Sequence, residues 1–237
     1  MLAVAAGFTC GAIGACGSHP APAPLQGSAG TPTTPEPTTP SVAWIDNGFD
    51  IPGLPAATGD GTRIIVAEIE SDGGRGSPNL RIVSRDRSDG IVEKITILKI
   101  DEVDAMFDKE GRHPKLDARI SAANTWLANL HRTATLSPLP RLEVDAADAY
   151  TQHSASAGPV VLDWAKDVLT IRRDKQLVTS HPTPATWRAA DHDGCSNPAK
   201  LGGAWVDLER KVALVEIAYN GTDMCWEPTA QQHVVSW

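Results

Sequence analysis

The sequence lacks any apolar run as long as the roughly 18 residues that a membrane-spanning helix requires, which excludes a polytopic membrane protein. It is also short of positive charge, because 21 Lys and Arg stand against 29 Asp and Glu and give a formal net charge of −8. Nucleic acids and anionic lipid surfaces bind proteins through clustered Lys and Arg. We therefore expect neither of them to be the main partner of this chain.

Familiar catalytic and cofactor motifs are missing as well. The chain contains no GxSxG, HExxH, P-loop, GxGxxG or EF-hand pattern. Apolar residues nevertheless make up 41% of its 237 residues, which is enough for an ordinary hydrophobic core. The sequence thus predicts a globular domain with no cofactor and no metal, but it contains no motif that names an activity.

Residues 1–16 carry no charge and consist mostly of small and apolar residues, as in the apolar region of an export signal. The segment ends in Ile13-Gly14-Ala15-Cys16, which resembles the lipobox of bacterial lipoproteins: an aliphatic residue, two small residues and a cysteine. The resemblance implies cleavage before Cys16 and a lipid on that residue. Because Gly17 is not Asp, it also implies outer-membrane retention in a cell with two membranes. A plain secretory signal, or a lipobox at Cys10, are the alternatives.

Residues 17–40 predict a disordered tether. They hold seven of the chain's 18 prolines, together with Thr, Ser, Gly and Ala. A segment with so little to bury cannot offset the entropy lost on ordering. In an extended, partly polyproline form these residues would reach up to ~70 Å. Such a tether would hold a folded domain away from a membrane; a flexible tail without a lipid is the alternative.

Residues 41–237 contain no strict repeat and no second linker, and they predict a single α+β domain with a mainly antiparallel sheet. From residue 114, apolar side chains recur at steps of three and four and predict an amphipathic helix over 114–131, packed on one face of the sheet. Alternating patterns and turn dipeptides predict strands over 62–70, 80–86, 91–100, 159–164, 168–172, 211–219, 222–226 and 233–237. The first three form a meander.

The stretch GDGTRIIVAEIE…PNLRIVSRDR resembles the paired strands of a TolB-type β-propeller blade. The resemblance implies a β-propeller-like fragment as an alternative fold. A propeller needs at least four such blades, and no recurring period accompanies this one.

The folded part retains two cysteines, Cys195 and Cys225. Export would place them in an oxidising compartment, so we expect a disulfide between them. Closing a loop of about 30 residues would stabilise the fold by roughly 3–4 kcal/mol. The alternative is two free thiols or metal ligands, although two isolated cysteines without CxxC spacing make a poor zinc site.

The densest polar cluster is Asp191-His192-Asp193, a histidine between two carboxylates and the best, though weak, candidate for a catalytic acid or base. His153 with Asp145 is a second candidate of the same kind. Neither set shows a partner nucleophile. Adjacent residues seldom converge on one ion, so a solvated turn is the alternative interpretation.

Tryptophan is unusually frequent, with seven Trp against three Phe and two Tyr. Four of them lie near the carboxyl end: Trp187, Trp205, Trp226 and Trp237. Such large rings usually fill the core. The alternative is an exposed surface that stacks on sugar rings or on an apolar partner.

Together these observations predict an exported lipoprotein, anchored to the bacterial cell envelope through Cys16 and held in the outer membrane where two membranes exist. Its domain is expected to be a non-catalytic binding or accessory module for an envelope protein or a cell-wall glycan. A secreted hydrolase that uses a His/Asp pair is the alternative.

Overall fold

The structure, a computed structural model, describes residues 39–70, 78–108, 111–145, 153–165, 167–187, 189–192, 195–219 and 229–237. These residues belong to one compact unit, Glu36–Trp237. The predicted export signal, and the predicted tether apart from its last two residues, lie outside the described residues. Pro40, the last tether residue, is already buried, so the packed part of the described chain begins there.

Antiparallel sheet dominates the described chain, and helices are few. The first strands in chain order are β1 (Ala43–Ile45), β2 (Gly48–Asp50), β3 (Ala56–Ala57), β4 (Arg63–Glu68), β5 (Leu80–Asp86), β6 (Ile91–Leu98), β7 (Phe107–Asp108), β8 (Gly111–Arg112) and β9 (Ser137–Pro138). The later strands are β10 (Arg141–Val144), β11 (Ser154–Ala157), β12 (Val160–Ala165), β13 (Val168–Arg173), β14 (Gln176–Pro182), β15 (Ala189–His192), β16 (Cys195–Asp207), β17 (Val212–Tyr219) and β18 (Gln231–Ser236). The helices are α1 (Val103–Met106) and α2 (Pro114–Ala134), with 3-10 turns at Ile100–Glu102 and Ala185–Trp187.

The predicted meander is confirmed as one side of a five-stranded antiparallel sheet, in the order β6, β5, β4, β3, β9, with β6 at the edge. β5 has the predicted bounds, and β4 and β6 each end two residues earlier than predicted. The turn between β5 and β6 is tight because Asp89 takes the left-handed conformation, with φ 68°. This turn also contacts a second sheet, which is formed by later strands.

The amphipathic helix predicted over 114–131 is confirmed as α2, which ends three residues further along the chain. Pro114 occupies the first helical position, where its missing N–H would have no intrahelical partner in any case. The helix stops where Thr135 adopts φ 52°. Its apolar stripe packs on one face of the five-stranded sheet, and the stripe residues fully buried there are Leu116, Ala123 and Leu127.

The remaining long strands form a second sheet, which corrects the expectation of a single sheet. Its order is β14, β13, β12, β11, β10, β16, β17, β18, and β15 pairs with β16, so it has nine strands among the described residues. The predicted hairpin over 159–164 and 168–172 is confirmed as β12 and β13, continued by β14. The predicted final strand is confirmed as β18, which begins two residues earlier and ends one residue earlier than predicted.

β17 lies between the two sheets, because both of its faces are buried. Ala213, Val215 and Ile217 point into the core of the nine-stranded sheet. Val212 and Leu214 take the other face and pack on the five-stranded sheet. Their neighbours in that sheet include Ile64, Val66 and Val83. The sequence of β17 is therefore apolar at almost every position rather than at alternate ones.

The longest strand, β16, was not predicted. Its sequence contains Pro198, Gly202 and Gly203, residue types that are depleted in strands. The two glycines are required by close packing: a Cβ on Gly203 would lie 2.7 Å from the Trp205 ring, and one on Gly202 would lie 2.9 Å from the Glu216 carboxylate. The contact with Glu216 depends on the neighbouring strand β17, whereas Trp205 lies two residues after Gly203 on β16 itself.

Two further expectations concern topology. The predicted partner of β17 over 222–226 lies outside the described residues, and both edges of β17 are already paired at Ile217, by β16 and by β18. The strands described here form no succession of four-stranded blades, so nothing supports a propeller fragment. None of the helices within the described ranges is both long enough and apolar enough to span a membrane.

Candidate functional site

An open cavity of about 670 Å³ lies where the start of β5 and the end of β6 meet the 3-10 turn and α1. Its base is formed by the buried residues Asn79, Leu80 and Leu98. The Asn79 amide closes this end of the sheet, since it accepts from the Glu70 N–H at 2.6 Å and donates to the Glu70 carbonyl at 2.8 Å. The cavity therefore has a fixed base and solvent-facing walls.

Strand geometry places cations on one wall of the cavity. Side chains on β6 alternate, and Ile97 faces α2, on the same side as Glu93, which accepts from the Trp126 indole N–H at 2.8 Å. Lys94 must then face the opposite side, where it lines the cavity beside Arg81 of β5. β5 and β6 therefore each contribute one cation to the lining, Arg81 and Lys94.

Acids also line the cavity. The 3-10 turn and α1 contribute Asp101 and Asp104, and Lys99 directly precedes this turn. This short segment is fastened to α2 by Glu102, because the Arg119 guanidinium donates to both of its carboxylate oxygens, at 2.7 and 3.0 Å. Arg119 also donates to the Ile97 carbonyl at 3.2 Å, which ties the same segment to the end of β6.

The hydrogen bonds from Arg119 lower the pKa of Glu102 from 4.5 to about 2. The folded state therefore favours the ionised carboxylate, and its contribution to stability is complete above the ordinary pKa and is lost as the pH falls towards 2. We expect the difference in melting temperature between the wild type and Glu102→Gln to shrink as the pH is lowered from 5 to about 2. Thermal unfolding followed by circular dichroism measures this difference.

Glu143→Gln is the matched control, since Glu143 is exposed on β10 and has no ion pair in the described part of the chain. Its melting temperature should differ little from that of the wild type at neutral pH. A constant gap between the wild type and Glu102→Gln over the whole pH range would show that the Glu102 carboxylate does not act through its charge.

Arg81 also belongs to a chain of ion pairs that ends in a hydrogen bond with a histidine. The chain begins at the cavity two residues after β4, continues through β5, β4 and the turn after β5, and ends on β18 of the other sheet. Its members in order are Glu70, Arg81, Glu68, Arg85, Asp89 and His233. The closest nitrogen–oxygen distances along it are 2.6, 2.7, 2.7, 3.2 and 2.8 Å.

Glu68 is the most deeply buried acid of this chain, with 8% of its side chain exposed. Its two oxygens accept from Arg81 and Arg85 separately, each at 2.7 Å. A buried carboxylate is stable only when it is paired and hydrogen-bonded in this way. Glu68 thus fixes the two arginines, one of which lines the cavity.

The far end of the chain joins the two sheets. Asp89 accepts from His233 Nδ1 and from the Val234 N–H, both at 2.8 Å. The His233 ring stacks on Trp187, with ring centroids 4.2 Å apart and 22° between the planes. Asp89 thereby satisfies a backbone donor on β18, which is the last strand of the nine-stranded sheet.

An Asp–His pair is also a possible general base, but this one is enclosed. The second ring nitrogen of His233, Nε2, is buried and has no hydrogen-bond partner among the described residues. A general base needs its free nitrogen within reach of a substrate proton. The arrangement therefore acts as a fastening between sheets, and it lends no support to a hydrolase.

The structure places the predicted tryptophans mainly in the core. Trp187 is 5% exposed and lies in the core of the nine-stranded sheet, which agrees with the first interpretation and not with the alternative of a binding surface. Trp205 is half-buried, with the Arg141 guanidinium 5.9 Å from the centre of its ring. Trp237 is half-buried against the core of the nine-stranded sheet, and Trp226 lies outside the described residues.

The other predicted site residues are described only in part. Asp191 and His192 lie on β15, where their backbones pair with Ser196 and Cys195. Nothing is described of these side chains, and Asp193, Cys225 and Cys16 lie outside the described residues. Of the second catalytic candidate, His153 packs edge-on against Trp164, with ring centroids 5.5 Å apart.

Sequence reasoning missed the cavity altogether. Its charged lining residues are Glu70, Arg81, Lys94, Lys99, Asp101 and Asp104. They come from several separate parts of the chain, and together they form no recognisable sequence motif. The one available signal was the alternation of IVEKITILKI, which indicates that Lys94 and Glu93 face opposite sides of a strand.

Comparison with known protein families, with curated proteins and with solved structures finds no match for this chain. Within the described ranges, no three His, Cys, Asp or Glu side chains are grouped as metal ligands would be.

Proposed function

We propose that this chain is a bacterial envelope lipoprotein whose α+β domain is a non-catalytic binding or accessory module. In this proposal the protein is exported, cleaved before Cys16 and anchored by a lipid on that residue. The following Pro- and Thr-rich residues hold the domain away from the membrane, so that it meets a partner in the envelope. Export also accounts for a disulfide between Cys195 and Cys225.

The observation that carries the binding part of the proposal is the cavity lined by charged side chains of both signs. Lys94, Asp101 and Asp104 line it, and none of the three has a hydrogen bond or an ion pair among the described residues. Binding sites are concave and carry a few fixed polar groups that orient the ligand. Charges that are held in place without an internal partner serve this purpose.

The anchoring part rests on two features of the sequence that support each other. The lipobox-like Ile13-Gly14-Ala15-Cys16 is directly followed by residues 17–40, whose composition disfavours folding. A tether of this kind has a clear purpose when one end is attached to a membrane and the other to a folded domain.

Replacing the lipidated cysteine tests the anchor. We expect Cys16→Ser, expressed as the full-length chain in a bacterial host, to lose incorporation of labelled palmitate and to leave the membrane fraction. Cys10→Ser is the matched control, because it removes a cysteine from the same segment but leaves the lipobox-like residues intact; it should be labelled like the wild type. A Cys16→Ser protein that remains labelled and membrane-bound would overturn the proposal.

A further inference from the structure

We infer that the cavity binds a small dipolar ligand that carries both a carboxylate and an ammonium group, as the free ends of a short peptide do. This inference rests on the proposed binding function and specifies its ligand. The observation behind it is that groups of both signs line one cavity: Arg81 and Lys94 on the sheet, Glu70 beside Arg81, and Lys99, Asp101 and Asp104 around the 3-10 turn and α1.

The available cation is Lys94. Arg81 lies beside it, but its guanidinium is already used by Glu68 and Glu70, at 2.7 and 2.6 Å. Lys94 has no such acid among the described residues, and its neighbour across the strands is the uncharged Val83. A ligand carboxylate would therefore find Lys94 free to donate, with Arg81 adding positive potential behind it.

The available acids are Asp101 and Asp104. Glu102 lies between them in the chain, but both of its carboxylate oxygens already accept hydrogen bonds from Arg119. It is therefore not available to a ligand. The hydrogen bonds between Arg119 of α2 and Glu102 hold the segment that carries Asp101 and Asp104 in place. A ligand ammonium group would bind Asp101 and Asp104, because carboxylates on a fixed segment lose little freedom when they pair.

The balance of charge disfavours a ligand of one sign. The charged lining consists of three cations, Arg81, Lys94 and Lys99, and three acids, Glu70, Asp101 and Asp104. An anion would meet the acids and a cation would meet the lysines, whereas a dipolar ligand pairs with both signs of charge. An uncharged glycan is disfavoured for another reason, since no aromatic ring on which a sugar could stack is found among the described lining residues.

Titration calorimetry with the full-length protein, purified in detergent, tests the inference. The probes are triglycine, its N-acetylated form and its C-terminal amide, which carry both charges, only the carboxylate and only the ammonium group. An extended tripeptide spans about 10 Å, a length suited to a cavity of this size. We expect each blocked peptide to bind at least about tenfold more weakly than triglycine.

Charge-neutralising variants locate the two ends of the ligand. Lys94→Gln should weaken triglycine and the N-acetylated peptide about tenfold and leave the amide unchanged. Asp104→Asn should weaken triglycine and the amide and leave the N-acetylated peptide unchanged. Lys115→Gln, an exposed residue outside the cavity, is the control and should bind all three peptides as the wild type does.

Three results would overturn the inference: no binding of triglycine, equal binding of the three peptides, or affinities that do not respond to Lys94→Gln and Asp104→Asn. Tighter binding of the uncharged N,N′,N″-triacetylchitotriose than of triglycine would assign the cavity to a glycan instead. None of these results changes palmitate labelling at Cys16, so the failure of this inference is distinguishable from failure of the anchor.

Discussion

Glu68→Ala is expected to destabilise the domain by about 3–5 kcal/mol, because it removes the buried acid shared by two arginines. The loss leaves the Arg85 guanidinium, which is 13% exposed, with a single acidic partner at 3.2 Å. Urea unfolding of the full-length protein measures the change through the transition midpoint at constant slope. Because a buried charge without its partner is costly, the effect should exceed that of deleting an exposed ion pair.

Glu70→Ala provides that comparison within the same chain of ion pairs. Glu70 also binds Arg81, but 44% of its side chain is exposed to solvent. Exposed pairs of this kind contribute less than about 1 kcal/mol. Equal destabilisation by Glu68→Ala and Glu70→Ala would mean that burial does not set the strength of this network.

Arg87→Ala is expected to cost at least ~3 kcal/mol and to loosen the junction between the sheets. The Arg87 guanidinium donates to four backbone carbonyls, those of Gly61, Arg210, Lys211 and Trp237, at distances from 2.9 to 3.3 Å. These carbonyls belong to three separate segments of the chain. Removing the side chain leaves all four acceptors to find other donors at once.

Hydrogen exchange measured by mass spectrometry should show this loosening as faster exchange around Lys211 and Trp237 in Arg87→Ala. Arg87→Lys should recover little of the loss, since an ammonium group is a point donor and cannot reproduce the planar fork. Arg132→Ala, an exposed arginine on α2, is the control. An increase in hydrogen exchange that is confined to the β5–β6 turn itself would contradict a role of Arg87 in joining the sheets.

Much of the local structure could be predicted because its causes are local. The bounds of β5, the Asp89-Gly90 turn after it and the helix that begins at Pro114 all follow from spacing within about ten residues. The apolar residues of these elements were predicted to be buried for the same reason. Short-range periodicity reports which side of an element faces the core, and that property survives in any tertiary arrangement.

The pairing of distant segments could not be predicted in this way. β16 was not predicted because Gly202 and Gly203 have a low strand propensity. The reason for glycine at these two positions is seen only in the folded structure, where Trp205 and Glu216 pack closely against them. Trp187 illustrates the same limit, since the sequence left core and surface open and its partner, His233, lies 46 residues away in the chain.

What the sequence determined by itself is the set of elements: the meander, the helix, the hairpin of β12 and β13, and the composition that sets residues 17–40 apart. Only the tertiary structure decided that the long strands form two large sheets, that Arg87 and Asp89 join them, and that Lys94 and Asp101 line one cavity. The physical reason is the range of the forces involved. Backbone propensity and side-chain alternation act between near neighbours, whereas a charge finds its partner only after the chain has folded.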